Sequence, residues 1–211
     1  MFKSNKKFIL LIMIMITVFL AGCGASNTSN STTDSSSKSE SVKNTTYPLK
    51  LKDSTNTEIT IQSEPKKVIS LSPNVTETIY ALNKQNLLIA RTDFCTYPTG
   101  ASKIPSVGTI TDPSVEKIVE LKPDVVIASN LTKPDILKKL QQLNIKVLTI
   151  SKNESFENTY NNIENIGKIV NANKKAYSIV SNMKAKVKLV QEKIKGKGTP
   201  TVYYVVSYGT S

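Results

Sequence analysis

The sequence predicts an α/β fold: a mostly parallel β-sheet flanked by helices, followed by a long helix and the opening strand of a second α/β lobe. Three observations predict it. Short apolar runs alternate with amphipathic stretches from Lys67 to Ile150. The connections between them are only a few residues long, as successive strand–helix–strand units require. Asp124–Ala128 is apolar throughout after its first residue, the pattern of a strand covered on both faces.

Taken in order, Tyr47–Gln62 sets Leu49, Leu51, Ile59 and Ile61 in period-2 alternation around a polar turn, which predicts a β-hairpin. Lys67–Leu71 is a short apolar strand ended by Ser72-Pro73-Asn74, and Val75–Leu82 is a short helix with Thr76 and Glu77 in its first turn. Leu87–Ala90 is the next strand, and Pro105–Val107 a brief further one. In Thr111–Glu116, Asp112 or Ser114 can cap a helix, Pro113 suits its first turn, and Glu116 favours the positive end of the dipole. Pro134–Leu143 carries Ile136, Leu137, Leu140 and Leu143 at helical spacing, and Lys146–Ile150 is the last strand of the sheet. A long helical stretch capped by Ser155 follows. It is interrupted at Asn171-Ala172-Asn173, where Asn171 can turn left-handed and Asn173 can cap again, and it ends at Gly196 and Gly198. Thr201–Val206 is one more strand. A lone strand cannot bury two faces, so the pattern predicts an N-terminal portion of a longer two-lobed protein; the alternative is one domain whose last strand joins the first sheet.

The first 46 residues read as an address and a tether. Lys3, Lys6 and Lys7 precede an apolar run, Phe8–Leu20, which is too short to span a bilayer and reads as a secretory signal peptide over residues 1–22. Leu20-Ala21-Gly22-Cys23 resembles a bacterial lipobox, in which Cys23 takes a lipid and becomes the mature N-terminus. Residues 23–46 are polar, with Val42 the one large apolar side chain, and cannot bury enough surface to fold alone. The expected segments are then a lobe at 47–152, a helical segment at 153–198, and the second lobe's first strand at 199–211.

Composition removes whole chemistries. The 211 residues contain no His, no Trp and two Cys, so a Ser-His-Asp or Cys-His nucleophile pair and a His-ligated zinc are excluded. With Cys23 lipidated, Cys95 has no internal partner. The net charge of +12 invites a nucleic-acid reading. The Lys residues of the long helical stretch lie on the polar side of an apolar stripe, without aromatic interleaving, and no nucleic-acid partner is expected. In an open parallel sheet, ligands sit beyond the carboxyl ends of the strands, here Ser72-Pro73, Arg91–Pro98, Gly108–Asp112 and Ser129-Asn130.

Several runs carry a family resemblance. Lys67-Val68-Ile69-Ser70-Leu71-Ser72-Pro73-Asn74-Val75-Thr76-Glu77 resembles the first strand and helix of ABC-importer solute-binding proteins for vitamin B12 and ferric siderophores. Phe94-Cys95-Thr96-Tyr97-Pro98 resembles their loop ending in Tyr-Pro. Pro113–Ile127, with an early Glu and Leu121-Lys122-Pro123-Asp124 before an apolar strand, is the most specific run. The resemblance implies a Rossmann-like first lobe, an interlobe helix over Lys174–Lys195, and a ligand held between two lobes. By position it implies ligand contacts from Pro73, Asn74, Phe94, Cys95, Tyr97, Ile110, Thr111, Ser129 and Asn130. It assigns Glu116, and more weakly Glu77, to docking against the ABC permease subunits. The ligand would be an iron-siderophore, corrinoid or haem-type molecule, with no resident cofactor or metal and no enzymatic activity. The protein would be an extracytoplasmic monomer held at the membrane, on a Gram-positive surface, through the lipid on Cys23. An exported α/β enzyme acting without His and a lipid-anchored adhesin are the alternatives.

Overall fold

A computed structural model describes residues 42–152 and 154–205. The signal peptide, Cys23 and the tether up to residue 41 lie outside the described residues, as does the end of the chain from residue 206. The chain forms β1 (Leu49–Lys52), β2 (Glu58–Ile61), β3 (Val68–Ser70), α1 (Pro73–Ala81), β4 (Leu88–Arg91), α2 (Val115–Leu121), β5 (Val125–Ser129), α3 (Pro134–Gln142), β6 (Val147–Ile150), α4 (Phe156–Ile169) and α5 (Asn173–Ile194). No helix among the described residues is long and apolar enough to cross a membrane.

β3, β4, β5 and β6 form a four-stranded sheet of order β4-β3-β5-β6, parallel throughout. The chain leaves β3 outward to β4, then crosses back to β5, so the winding reverses between β3 and β5. Both faces are covered. Val68, Val125 and Ile127 pack with Val75 and Ile79 of α1, Ile166 and Ile169 of α4, and Val180 of α5. Ile69, Val126 and Ala128 pack on the other side with Val115 and Ile118 of α2 and Leu140 of α3. Alternate residues of β5 thus enter two separate apolar clusters, which is why its sequence is apolar from Val125 to Ala128.

The hairpin protects an edge. β1 and β2 pair antiparallel with Leu51 opposite Ile59. Asp53 Oδ1 accepts from the amides of Thr55 (2.8 Å) and Thr57 (2.9 Å), which fixes the turn. The amide of Ser54 donates to the Thr149 carbonyl (2.9 Å), and its hydroxyl to that of Ile150 (3.2 Å), so the turn occupies the free edge of β6.

α4 and α5 meet at a tight corner. Asn171 adopts a left-handed conformation (φ 51°), as its residue type predicts. A Cβ on Gly167 would lie 2.5 Å from that of Ala176. The chain before β1 is docked on this corner: the Thr45 amide donates to Asn171 Oδ1 (2.9 Å), the Thr45 hydroxyl to the Lys168 carbonyl (2.7 Å), and the Tyr47 hydroxyl to the Ile169 carbonyl (2.9 Å). Burial, helped by the Glu64 charge, pushes the Tyr47 hydroxyl up to about 12. Lys43 and Thr45, ahead of the expected start at Tyr47, are therefore already bonded to the lobe.

Several local expectations differ. α1 starts at Pro73, which leaves Glu77 beyond its first turn. Ser114, not Asp112, caps α2: its Oγ accepts from the Lys117 amide (3.2 Å). Pro113 precedes that helix, in a bridge with Gly108. Ala172, not Asn173, holds the cap position of α5, because the side chain of Asn173 is engaged by Lys43 and Thr45. Pro105–Val107 shrinks to one parallel bridge between Arg91 and Ser106. Pro105 has no amide to donate, and Gly108 (φ 107°) turns the chain away. Of the expected strand Thr201–Val206, residues 201–205 lie outside both sheets, with Tyr203 92% and Tyr204 82% exposed, and Val206 lies outside the described residues. A strand exists through its ladder, and no neighbouring strand among the described residues offers one.

The α4–α5 corner is testable. Gly167→Ala should destabilise the protein by about 1–3 kcal/mol through overpacking, and adding Ala176→Gly should recover most of that loss. Urea denaturation of the two variants and the parent checks both values.

Candidate functional site

A parallel sheet sends all its strands out at one edge, so four loops share it. β3 leaves through Leu71 and Ser72 into α1. There the Ser70 hydroxyl donates to the Ser72 carbonyl (2.9 Å) and the Thr76 hydroxyl to Ser70 Oγ (2.7 Å). This buried pair holds Pro73 and Asn74, both half-buried, at the start of α1 beside the winding reversal. Asn74 Oδ1 accepts from the Val75 amide (3.0 Å).

β4 leaves into the loop 92–104. Phe94 is 62% and Tyr97 68% exposed, so both face solvent and neither belongs to the core. Cys95 between them is fully buried, with its Sγ 3.2 Å from the Thr92 hydroxyl. It fills the inside of the loop, so the Cys95 side chain, expected among the ligand contacts, offers no exposed surface at this edge. The next excursion, 108–112, is tied to the loop after β5: the Ile110 carbonyl accepts from the Thr132 hydroxyl (3.0 Å), the Thr111 carbonyl from the Lys133 amide (3.0 Å), and Asp112 pairs with Lys133 (2.7 Å). Ile110 is half-buried and Thr111 exposed. Ser129 is buried and its Oγ accepts from the Leu131 amide (3.3 Å), so it shapes its own turn and does not face outward. Asn130 is exposed at the rim of a shallow, hydroxyl-rich depression of 410 Å³ that Thr132, Thr149 and Ser151 also line.

Pro73, Asn74, Phe94, Tyr97, Ile110, Thr111 and Asn130 therefore share the carboxyl edge, whereas Cys95 and Ser129 support it from below. The arrangement can offer two aromatic faces and a few amide and hydroxyl groups to a large, partly apolar ligand. Among the described residues no group of His, Cys, Asp and Glu could hold a metal ion.

The two acids named for docking do not form one cluster. Glu116 is exposed in the first turn of α2, where the Ser114 hydroxyl donates to its Oε2 (3.2 Å) and Lys139 Nζ lies 3.8 Å from Oε1. Its own backbone amide, then Ser114, then Lys139 hold its carboxyl below the usual carboxylate range. Glu77 stands on α1, on the other side of the sheet. With Asn74 and Thr78 it rims a 260 Å³ groove floored by Ile150, Ile163 and Ile166.

Sequence reasoning missed Arg91 as the organiser of this edge. It is the one arginine beside 27 lysines, and a chain that uses Lys for every other basic residue signals a need for guanidinium geometry there.

A doubly wound parallel sheet with exposed aromatic and amide groups at its switch point has the architecture of a ligand-capturing lobe. The chain belongs to the periplasmic binding protein family, whose model matches residues 68–210. It is 39% identical over 156 residues to an uncharacterised ABC transporter substrate-binding lipoprotein, YvrC, of Bacillus subtilis, an alignment covering 72% of this chain and 49% of that protein. It is 36% identical over 110 residues to a vitamin B12-binding protein of Vibrio vulnificus, covering 51% of this chain and 40% of that protein. Among solved structures it is similar to the periplasmic haem-binding protein HutB of Vibrio cholerae, with a TM-score of 0.57 and 25% identity over 62% of this chain and 51% of that one. The chain spans about half the length of the curated relatives it matches, with 49% and 46% of the first two covered.

The lowered Glu116 pKa gives a signed expectation. A depressed carboxyl pKa contributes stability above its unfolded value, and this is lost as pH falls through the folded value. Ser114→Ala should raise the Glu116 pKa toward that of an ordinary glutamate, and Lys139→Ala should raise it less. Carboxyl carbon chemical shifts followed through an acid titration read both changes.

Proposed function

We propose that the full-length protein is the extracytoplasmic solute-binding component of an ABC importer. It captures a haem-type, corrinoid or ferric-siderophore ligand on the carboxyl edge of this lobe and delivers it to the permease. The observation that carries the reading is the exposure of Phe94 and Tyr97 on the loop after β4, beside the winding reversal. Aromatic side chains of this size are costly to leave in water, and a flat chelate would cover them. The similarity to a substrate-binding lipoprotein, a vitamin B12-binding protein and a haem-binding protein supports the same ligand class. Asn74, Thr111 and Asn130 orient the ligand through polar contacts.

In the same reading Cys23 carries a lipid that holds the protein at the outer face of the membrane, and Glu116 meets a cation on the permease. Charge-assisted carboxylate pairs give orientation along with affinity. Glu77 makes a second, weaker contact of this kind on the other side of the sheet.

Three measurements test this. Titration of the full-length protein with cyanocobalamin, haemin and a ferric hydroxamate should show saturable binding of one of them. Phe94→Ala with Tyr97→Ala should weaken it by about tenfold or more. Binding unaltered by that pair, or turnover of the ligand, contradicts the proposal. Glu116→Ala should leave ligand affinity unchanged while reducing uptake by whole cells; equal loss in both assays would assign Glu116 elsewhere. Cys23→Ser should move the protein from the membrane fraction to the medium.

A further inference from the structure

The loop that carries Phe94 and Tyr97 is an unusual carrier for a binding surface. It runs through residues 92–104 with one short helical turn, Ala101–Lys103, and its aromatic side chains face solvent. Its internal bonds are local turns, such as the Cys95 amide to the Thr92 carbonyl (3.0 Å) and the Ala101 amide to the Pro98 carbonyl (2.7 Å). At its base the Asp93 amide donates to the Gly108 carbonyl (2.8 Å), and Arg91 ties the two limbs together. The Arg91 main chain receives the returning strand: its amide donates to the Pro105 carbonyl (3.0 Å), and its carbonyl accepts from the Val107 amide (2.8 Å). The Arg91 side chain then reaches into the loop. Nη1 donates to the carbonyls of Thr92 (2.8 Å) and Asp93 (3.2 Å) on the departing limb. Nε donates to Ala101 (2.9 Å) and Nη2 to Ser102 (2.9 Å) on the returning limb.

Arg91 is buried, at 9% exposure, and its four described side-chain acceptors are main-chain carbonyls. Among the described residues no carboxylate is bonded to it. A buried cation held this way has its charge spread over peptide dipoles, and both limbs of the loop meet at one rigid plane. A lysine ammonium is a single point with three donors and cannot reach two limbs in this fork geometry. Cys95 and Ala101, both fully buried, fill the space beneath.

We propose that Arg91 is a positioning residue: it holds the 92–104 loop in its ligand-ready shape before any ligand arrives, so that Phe94 and Tyr97 are presented without an ordering cost at binding. The ligand-facing half of this inference rests on the proposed function above; the loop-holding half does not. Preorganisation of this kind acts on the fraction of molecules competent to bind, and affinity falls in proportion when that fraction falls.

The test uses the full-length protein with Arg91→Lys and Arg91→Met, with and without Phe94→Ala and Tyr97→Ala. Amide hydrogen exchange of the unliganded protein should show protection lost in residues 92–104 and retained in β5, Val125–Ser129. Loss throughout the lobe, or no loss, would overturn the inference, because the first marks a general stabiliser and the second a passive side chain. Where cyanocobalamin or haemin binds the parent, Arg91→Lys should weaken it by about tenfold if the competent fraction drops to a tenth. In the background lacking both aromatic rings the same change should cost less than about twofold, because Arg91 acts through those rings. Additive losses would overturn the positioning role. If neither of these nor a ferric hydroxamate binds the parent, the importer reading falls, and the exchange pattern alone decides for or against Arg91.

Discussion

The carboxyl edge depends on burying β3 and β5 on both faces. Val68, Val125 and Ile127 are fully enclosed under α1, α4 and α5, and Ile69, Val126 and Ala128 under α2 and α3. Because these two strands are parallel neighbours whose connections leave in opposite directions, a crevice opens between their carboxyl ends. No exposed side chain creates that crevice; it follows from winding order and from the need to cover both apolar faces. The loops are then tied to one another through main-chain carbonyls: those of Ile110 and Thr111 receive Thr132 and Lys133, and those of four loop residues receive Arg91. Backbone acceptors cannot be mutated away, which lets the exposed side chains at this edge vary with the ligand while the scaffold stays fixed.

Charge at the surface follows a different logic from charge at the loop base. Described ion pairs such as Lys133 with Asp112 and Lys139 with Glu116 join exposed groups, where water screens the attraction. Glu116 stays accessible while its carboxyl is held below the usual range by its own amide, Ser114 and Lys139. Arg91 is the opposite case: enclosed, fully committed to carbonyls, and structural in its effect on the loop.

Much of this was legible in residue patterns. The unbroken apolar run of Val125–Ala128 announced a doubly covered strand. Ser155 capped where its type and position predict, accepting from the Asn158 amide, and Asn171 took the left-handed turn. Those signals are local, and the structure leaves them intact. The misses are tertiary. Arg91 bonds to carbonyls ten and eleven residues away, and carbonyls carry no sequence signature. Lys43 and Thr45 belong to a polar stretch that reads as tether, yet they find partners on the α4–α5 corner far along the chain. Cys95 sits in a loop and Ser129 at the end of β5, both beside the crevice, but their side chains turn inward, a choice set by packing. Residues 201–205 have strand composition, yet among the described residues they join neither sheet, and composition alone cannot supply a ladder.

The central claim is that ligand lands on the carboxyl edge of this sheet. Amide chemical-shift mapping of the full-length protein against whichever of haemin or cyanocobalamin binds tests it most directly. The account predicts that the largest changes cluster at residues 72–74, 94–97, 110–111 and 130. Changes centred instead on the opposite edge, around Lys146 and the α4–α5 corner, would contradict it.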